Sequence, residues 1–290
     1  MINEHQVTLA DGRLVSYSDS GPRDGRVVLL CHGLPGARVQ VPSTTILEQR
    51  HVRVIIIDRP GIGLSSLQTV RTLAGWSSDA LAVLADAQVD TLTLVGYSAG
   101  TPYALMFASL YPERVNRISI VSGMAPSAAA DIAKLSAMNR FLHSMGNTLP
   151  PTVRRTLAWT AATFIGTGTK AATFGIKMMR SAFTPAENSF IDTPGGAVFR
   201  AMLAEHFRQG YDGYLVDLGL VTQHWPIAYE RIHHPVHAWY GSDDRITPPT
   251  AAASLQAVLP QTTITITPGA GHLMIFMAWD ELVSRIANEA

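Results

Sequence analysis

The sequence predicts an α/β chain: an open, mostly parallel sheet with helices on both faces, interrupted by a long helical insertion. Three observations predict it. Short β-branched apolar runs alternate with helix-spaced segments through the first part of the chain, which is the pattern of a parallel sheet with crossover helices. The strand rhythm then stops between about 124 and 225, where Ala-rich and amphipathic stretches are punctuated by Pro150-Pro151, Gly166, Gly168, Pro185 and Pro194-Gly195-Gly196. It resumes at Val236–Tyr240 and Thr262–Thr267. The implied organisation is a first core part over 1–123, a helical lid over 124–225 and a second core part over 226–290.

The elements follow in order. Gln6–Leu9 and Leu14–Ser18 flank Asp11-Gly12, a tight-turn pair, and read as a β-hairpin. Val27–Cys31 and Val52–Ile57 are near-continuous apolar runs, as expected of strands covered on both faces. Ser43–Arg50 between them is compatible with a helix. Trp76–Ala87 has helical spacing, with Ser77 and Ser78 as the expected caps. Leu92–Val95 reads as a strand, Thr101–Leu110 as a helix stopped by Pro112, and Ile118–Val121 as a strand. A single helix over Met274–Asn288 closes the chain.

Composition narrows the function. The 290 residues are 47% hydrophobic and 15% charged, the profile of a folded chain with a large core. Lys+Arg and Asp+Glu both number 22, so no net charge favours nucleic acid or an anionic membrane as partner. No uninterrupted apolar run approaches the ~20 residues of a membrane span, and the N-terminus lacks a secretory pattern. The single cysteine, Cys31, excludes an intrachain disulfide and reads as a core residue. These features imply a soluble cytoplasmic protein acting on a small molecule without cofactor or metal, and they are compatible with a homodimer. His233, His234 and His237 are expected in surface or packing roles, not as metal ligands.

The chemistry concentrates in four short motifs. Gly96-Tyr97-Ser98-Ala99-Gly100 directly follows a strand and precedes a helix, the context of a nucleophile elbow. A turn that tight leaves almost no room for side chains two residues either side of the serine. Serine is a poor nucleophile unless a base takes its proton and a carboxylate orients that base. Gly241-Ser242-Asp243-Asp244 and Gly269-Ala270-Gly271-His272 both follow later strands, in the order serine, acid, histidine. This makes Ser98 the candidate nucleophile and His272 the base, with Asp243 or Asp244 as the acid. A tetrahedral oxyanion needs two N–H donors. Ala99 would supply one, and Leu34 in His32-Gly33-Leu34-Pro35-Gly36 the other, with His32 organising the loop. Tyr97, beside the nucleophile, either touches substrate or packs beneath the turn.

These motifs, with Asp58-Arg59-Pro60-Gly61-Ile62-Gly63-Leu64-Ser65, resemble the α/β-hydrolase superfamily, in particular its lid-bearing serine hydrolases. The resemblance spans about residues 7–123 and 225–288 and leaves the lid outside. It implies an α/β-hydrolase fold, points to Asp244 as the acid, and gives the Asp58–Ser65 turn a structural role. Related haloalkane dehalogenases and epoxide hydrolases carry aspartate as nucleophile, so serine at 98 points instead to a carbonyl substrate. The expected activity is cleavage of an ester, lactone, thioester or amide, as in a carboxylesterase. A proline-type aminopeptidase, a C–C bond hydrolase and a non-catalytic ligand receptor are the alternatives, and a cofactor-free haloperoxidase side activity fits the same residues. An aminopeptidase would need a lid carboxylate for the substrate amine, for which Glu187, Asp192, Glu205 and Asp212 are candidates. Met138, Phe141, Met145, Trp159, Phe164, Met178, Met179 and Phe183 either pack the lid onto the core or line an acyl pocket.

Overall fold

The computed structural model describes residues 2–126, 137–165 and 179–288. Eight strands form one sheet: β1 (Asn3–Thr8), β2 (Leu14–Ser20), β3 (Arg26–Cys31), β4 (Val52–Ile57), β5 (Leu92–Tyr97), β6 (Val115–Val121), β7 (Val236–Gly241) and β8 (Thr262–Thr267). Their order is β1-β2-β4-β3-β5-β6-β7-β8. The β1–β2 hairpin and the β2–β4 pair are antiparallel, and every other pair is parallel. Helices α1 (Thr45–Arg50), α2 (Leu73–Asp86) and α3 (Thr101–Leu110) cross over between successive parallel strands.

The apolar runs are buried on both faces because helices cover both. Along β4 the side chains alternate: Ile55 and Ile57 join the layer packed with α2 and α3, while Val52, Val54 and Ile56 join the opposite layer. That opposite layer also takes the closing helix α11 (Trp279–Asn288).

Between β6 and β7 the described residues contain helices only: α4 (Ala137–Asn147), α5 (Pro151–Ile165), α6 (Pro185–Ile191), α7 (Ala197–His206) and α8 (Asp212–Val221), here called the cap. Phe183, Ile191, Phe199, Met202 and Leu203 enter one core layer of the sheet. Met145, Ala158, Phe207, Tyr214 and Leu218 form a smaller cluster, against which Leu34 packs. Met145, Met179 and Phe183 therefore pack inward, while Phe141 and Trp159 stay exposed. Met178 and the side chains of Met138 and Phe164 lie outside the described residues.

Two sequence expectations are corrected. Helix α2 starts at Leu73, and its cap is Thr72, whose hydroxyl accepts from the Gly75 N–H at 2.9 Å. Ser77 and Ser78 lie inside the helix and donate back to the carbonyls of Leu73 and Ala74. An intra-helix bond four residues back satisfies a serine as well as capping does. The last helix is two, α10 (Met274–Met277) and α11, because Ala278 leaves helical geometry before Trp279 buries.

Candidate active site

Ser98 sits between β5 and α3 with φ of 51°, in the left-handed region that non-glycine residues rarely occupy. Such a backbone costs about 1–2 kcal/mol in an L-residue, so the surroundings must enforce it. They do so by close packing. A Cβ on Gly96 would lie 3.0 Å from Ile120 Cδ1 and from the Thr101 backbone, and one on Gly100 would overlap the Cys31 carbonyl. The Ser98 carbonyl is held by the Thr101 hydroxyl at 2.8 Å and the Met124 N–H at 3.2 Å.

Three strand ends bring three side chains together. The loop after β8 carries His272, whose Nε2 is 3.1 Å from Ser98 Oγ. The loop after β7 carries Asp244, whose Oδ2 is 2.9 Å from His272 Nδ1. All three residues are buried. The second oxygen of Asp244 accepts the N–H groups of Ile246 and Thr247 at 2.8 and 2.9 Å. Burial pushes this carboxyl up, but the His272 charge and hydrogen bond, with the Thr247 and Ile246 amides, outweigh it and hold the group below its ordinary range. Asp244 thus stays an acceptor, which orients Nδ1–H toward itself and leaves the Nε2 lone pair for the serine proton.

Asp243 takes no part in this chain of bonds. It is exposed and accepts the Ser242 hydroxyl at 2.8 Å. It also does not cap the next helix, α9 (Thr250–Val258), which begins after Pro249 without a side-chain cap. Tyr97 packs beneath the turn rather than into a substrate space. Its ring lies against His272 and Phe276, and its hydroxyl donates to the His272 carbonyl at 3.1 Å.

The loop at Leu34 lies against the elbow: a Cβ on Gly33 would be 3.4 Å from Ser98 Cβ and 3.1 Å from the Tyr97 ring. Its shape is set from behind. Arg59 donates to the carbonyls of His32 and Gly33 at 2.6 and 2.7 Å. His32 Nδ1 is 2.9 Å from the Gly33 carbonyl oxygen. Cap residue His206 lies with Nδ1 2.8 Å from the Gly36 carbonyl oxygen, and burial, partly opposed by that carbonyl, pushes its pKa down to about 4.

Arg59 is itself fixed by Asp217 of α8 at 2.5 Å. Asp217 also pairs with Arg71 and accepts the Tyr103 hydroxyl at 2.7 Å. Burial pushes Asp217 up, yet the two guanidinium groups overcome this and hold it far below the usual carboxylate range. Arg59, His206, Asp217 and Glu187 are supports that motif reading missed as a group. One signal was present: Thr184-Pro185-Ala186-Glu187 is a capping-box pattern, and the structure forms that box at the start of α6.

His234 and His237 lie apart from this site. His234 Nε2 is 2.9 Å from the Pro112 carbonyl oxygen and His237 Nε2 is 2.9 Å from Thr265 Oγ1. Cys31 is buried at the end of β3, and burial pushes its thiol up to about 12. Among the described residues no group of three or more His, Cys, Asp or Glu could hold a metal ion, and no helix is long and apolar enough to cross a membrane.

A family profile described as the alpha/beta hydrolase fold matches residues 26–278. The magnesium-chelatase 30 kDa subunit of Rhodobacter capsulatus is 30% identical over 286 residues, covering 93% of this chain and 88% of its own. Two solved structures share the fold over nearly the whole length. The enol-lactonase of Burkholderia xenovorans LB400 has a TM-score of 0.71 at 14% identity, with 98% of both chains covered. The esterase RhEst1 of Rhodococcus sp. ECU1013 has a TM-score of 0.69 at 19% identity, covering 98% of this chain and 96% of that one. With the mostly parallel sheet and the strand-end site, the profile match shows that this chain belongs to the α/β hydrolase fold family.

Proposed function

We propose that the chain is a serine hydrolase that cleaves an ester, lactone, thioester or amide of a small, largely apolar substrate through an acyl-enzyme on Ser98. The observation that carries this reading is the bond chain from Ser98 Oγ through His272 (3.1 Å) to Asp244 (2.9 Å). In this reading His272 Nε2 removes the Ser98 proton as Oγ attacks the carbonyl carbon. The negative oxygen is received by the N–H groups of Leu34 and Ala99. The imidazolium, steadied by Asp244, then protonates the leaving group, and water repeats the sequence to free the acid. The cap helices act as a lid over the site.

Carbonyl substrates without a free amine are favoured over aminopeptidase substrates. Glu187 already accepts two backbone N–H groups, Asp192 pairs with Arg180 at 2.5 Å, Glu205 with Arg38, and Asp212 with Arg155 at 3.6 Å. Each of the four lid carboxylates is engaged by a group of this chain. The enol-lactonase and esterase likenesses agree with acyl transfer as the reaction class. The test is labelling by a fluorophosphonate probe and turnover of p-nitrophenyl acetate, each compared with Ser98→Ala. Labelling or turnover that persists in the variant defeats the proposal.

A second reading has one specific support: the 30% identity, over nearly full length, to a magnesium-chelatase subunit. In it the chain binds a small ligand, or serves as an accessory subunit, with negligible turnover. Ligand-dependent thermal stabilisation without product, and no fluorophosphonate labelling of the unsubstituted protein, would favour it.

A further inference from the structure

The peptide that joins His272 to Leu273 is gripped at both ends. Its carbonyl accepts the Tyr97 hydroxyl at 3.1 Å, and its N–H donates to Glu187 Oε1 at 2.5 Å. Tyr97 is the residue before Ser98, on the sheet. Glu187 belongs to cap helix α6. The plane of one peptide, next to the Cα that bears the imidazole, is therefore tied to the elbow on one side and to the cap on the other.

Glu187 is more than a helix cap. Its Oε2 accepts the Thr184 N–H at 2.7 Å, which completes the capping box within α6. Local capping needs only that one bond and no burial. Yet the carboxylate is almost fully buried, and its other oxygen reaches a loop 86 residues away. A carboxylate with backbone amides as its hydrogen-bond partners costs stability to bury, so its position calls for a gain elsewhere. The loop is shaped to receive it: any side chain at Gly271 would run into the Glu187 carboxylate. His272 is flanked by Gly271 on one side and by the clamped peptide on the other.

We propose that Glu187 is a positioning residue: it fixes the peptide after the base so that Nε2 stays aimed at Ser98 Oγ, and with Tyr97 it couples seating of the cap to alignment of the triad. This rests on the serine hydrolase reading above. Loss of the Leu273 acceptor frees the loop to turn, and misplacement of a reacting group by ~1 Å costs up to about 10²-fold in rate.

The experiment compares the unsubstituted protein with Ser98→Ala, Glu187→Ala, Glu187→Gln, Tyr97→Phe and Thr184→Ala. It measures kcat and KM on p-nitrophenyl acetate, fluorophosphonate labelling and thermal unfolding. Glu187→Ala should lower kcat about 10- to 100-fold with KM within about twofold. Glu187→Gln offers one oxygen to two N–H groups, those of Leu273 and Thr184, and should recover kcat only in part, above the alanine variant. Tyr97→Phe removes the opposite grip without changing volume and should lower kcat by about 3- to 10-fold at unchanged KM; it carries the test if the alanine variant does not fold. Thr184→Ala removes the hydroxyl that caps α6 but keeps the N–H bonded to Glu187 Oε2, and should lower the melting temperature with a kcat loss well below that of Glu187→Ala. Full kcat in Glu187→Ala or in Tyr97→Phe, or a kcat loss in Thr184→Ala equal to that of Glu187→Ala, would overturn the proposal. Turnover or labelling surviving in Ser98→Ala would instead remove the underlying reading.

Discussion

Ser98, Asp244 and His272 are carried at the ends of β5, β7 and β8, whereas Glu187, His206 and Asp217 come from three helices inserted between β6 and β7. The first set holds the hydrogen-bond chain expected to react. The second set holds the loops that present it: Glu187 at the His272–Leu273 peptide, His206 at Gly36, and Asp217 through Arg59 at the carbonyls of His32 and Gly33. Strand ends give fixed positions because each is anchored by ladder bonds to its neighbours. Loops beyond them need outside partners to hold one shape. The cap helices therefore hold the loops that carry the candidate site.

The sharpest break of this comparison is at the strand ends. In the proposed serine hydrolase, Ser98→Ala should lower kcat on p-nitrophenyl acetate by about 10⁴-fold or more, while leaving the melting temperature nearly unchanged, because alanine keeps the Cβ and the same left-handed backbone. Asp244→Asn should cost up to about 10⁴-fold in kcat by favouring the wrong imidazole tautomer, and Asp243→Asn should stay within about twofold. Equal losses in the two aspartate variants would contradict the assignment of the acid.

Breaking the cap side should act on stability first. Asp217→Ala removes the partner shared by Arg59, Arg71 and Tyr103 and should destabilise by about 3–5 kcal/mol, read by urea unfolding. With Arg59 released, the loop at Leu34 loses its brace, so kcat should fall as well.

The smallest effect is a pH dependence. The His206 pKa is lowered from 6.5 to about 4, chiefly by burial, so the folded chain refuses a proton that the unfolded chain binds between those values. The stability it contributes is complete above pH ~6.5 and drains away as pH falls toward ~4, by roughly 3 kcal/mol in the limit. His32, also held well below its usual value by burial, acts with the same sign. His206→Gln should flatten part of this slope in thermal unfolding between pH 7 and 4.5. An unchanged slope would show that His206 binds its proton equally in the folded and unfolded chain.

Much of the site was legible in the sequence because its geometry is local to short motifs. Gly96 and Gly100 around Ser98 could be read from sterics alone, and the structure packs backbone and side chains against both. The order of Ser98, Asp244 and His272 followed from strand rhythm. Helix starts were less legible at α2, where Thr72 caps and the serines do not. They compete because all three hydroxyls can bond nearby backbone, and only the chain's direction before Leu73 decides which one does. The supports were not legible. Glu187 stands out in the sequence only as a lid carboxylate for a substrate amine and Arg59 only as part of a structural turn, while nothing singles out His206 or Asp217.

By itself, then, the sequence determined the layered α/β architecture and singled out the tight turn at Ser98 and the loop at His272 as candidates, since these depend on periodicity and on which residues fit a tight turn. Only the tertiary structure decided that Asp244 rather than Asp243 meets the imidazole at 2.9 Å, that Tyr97 lies under the turn, and that the cap grips the active-site loops. Those outcomes turn on side-chain directions and on contacts between residues up to 175 positions apart, such as Tyr97 with His272. Such contacts leave no periodic trace along the chain, because packing in space, and not spacing in sequence, selects the partner.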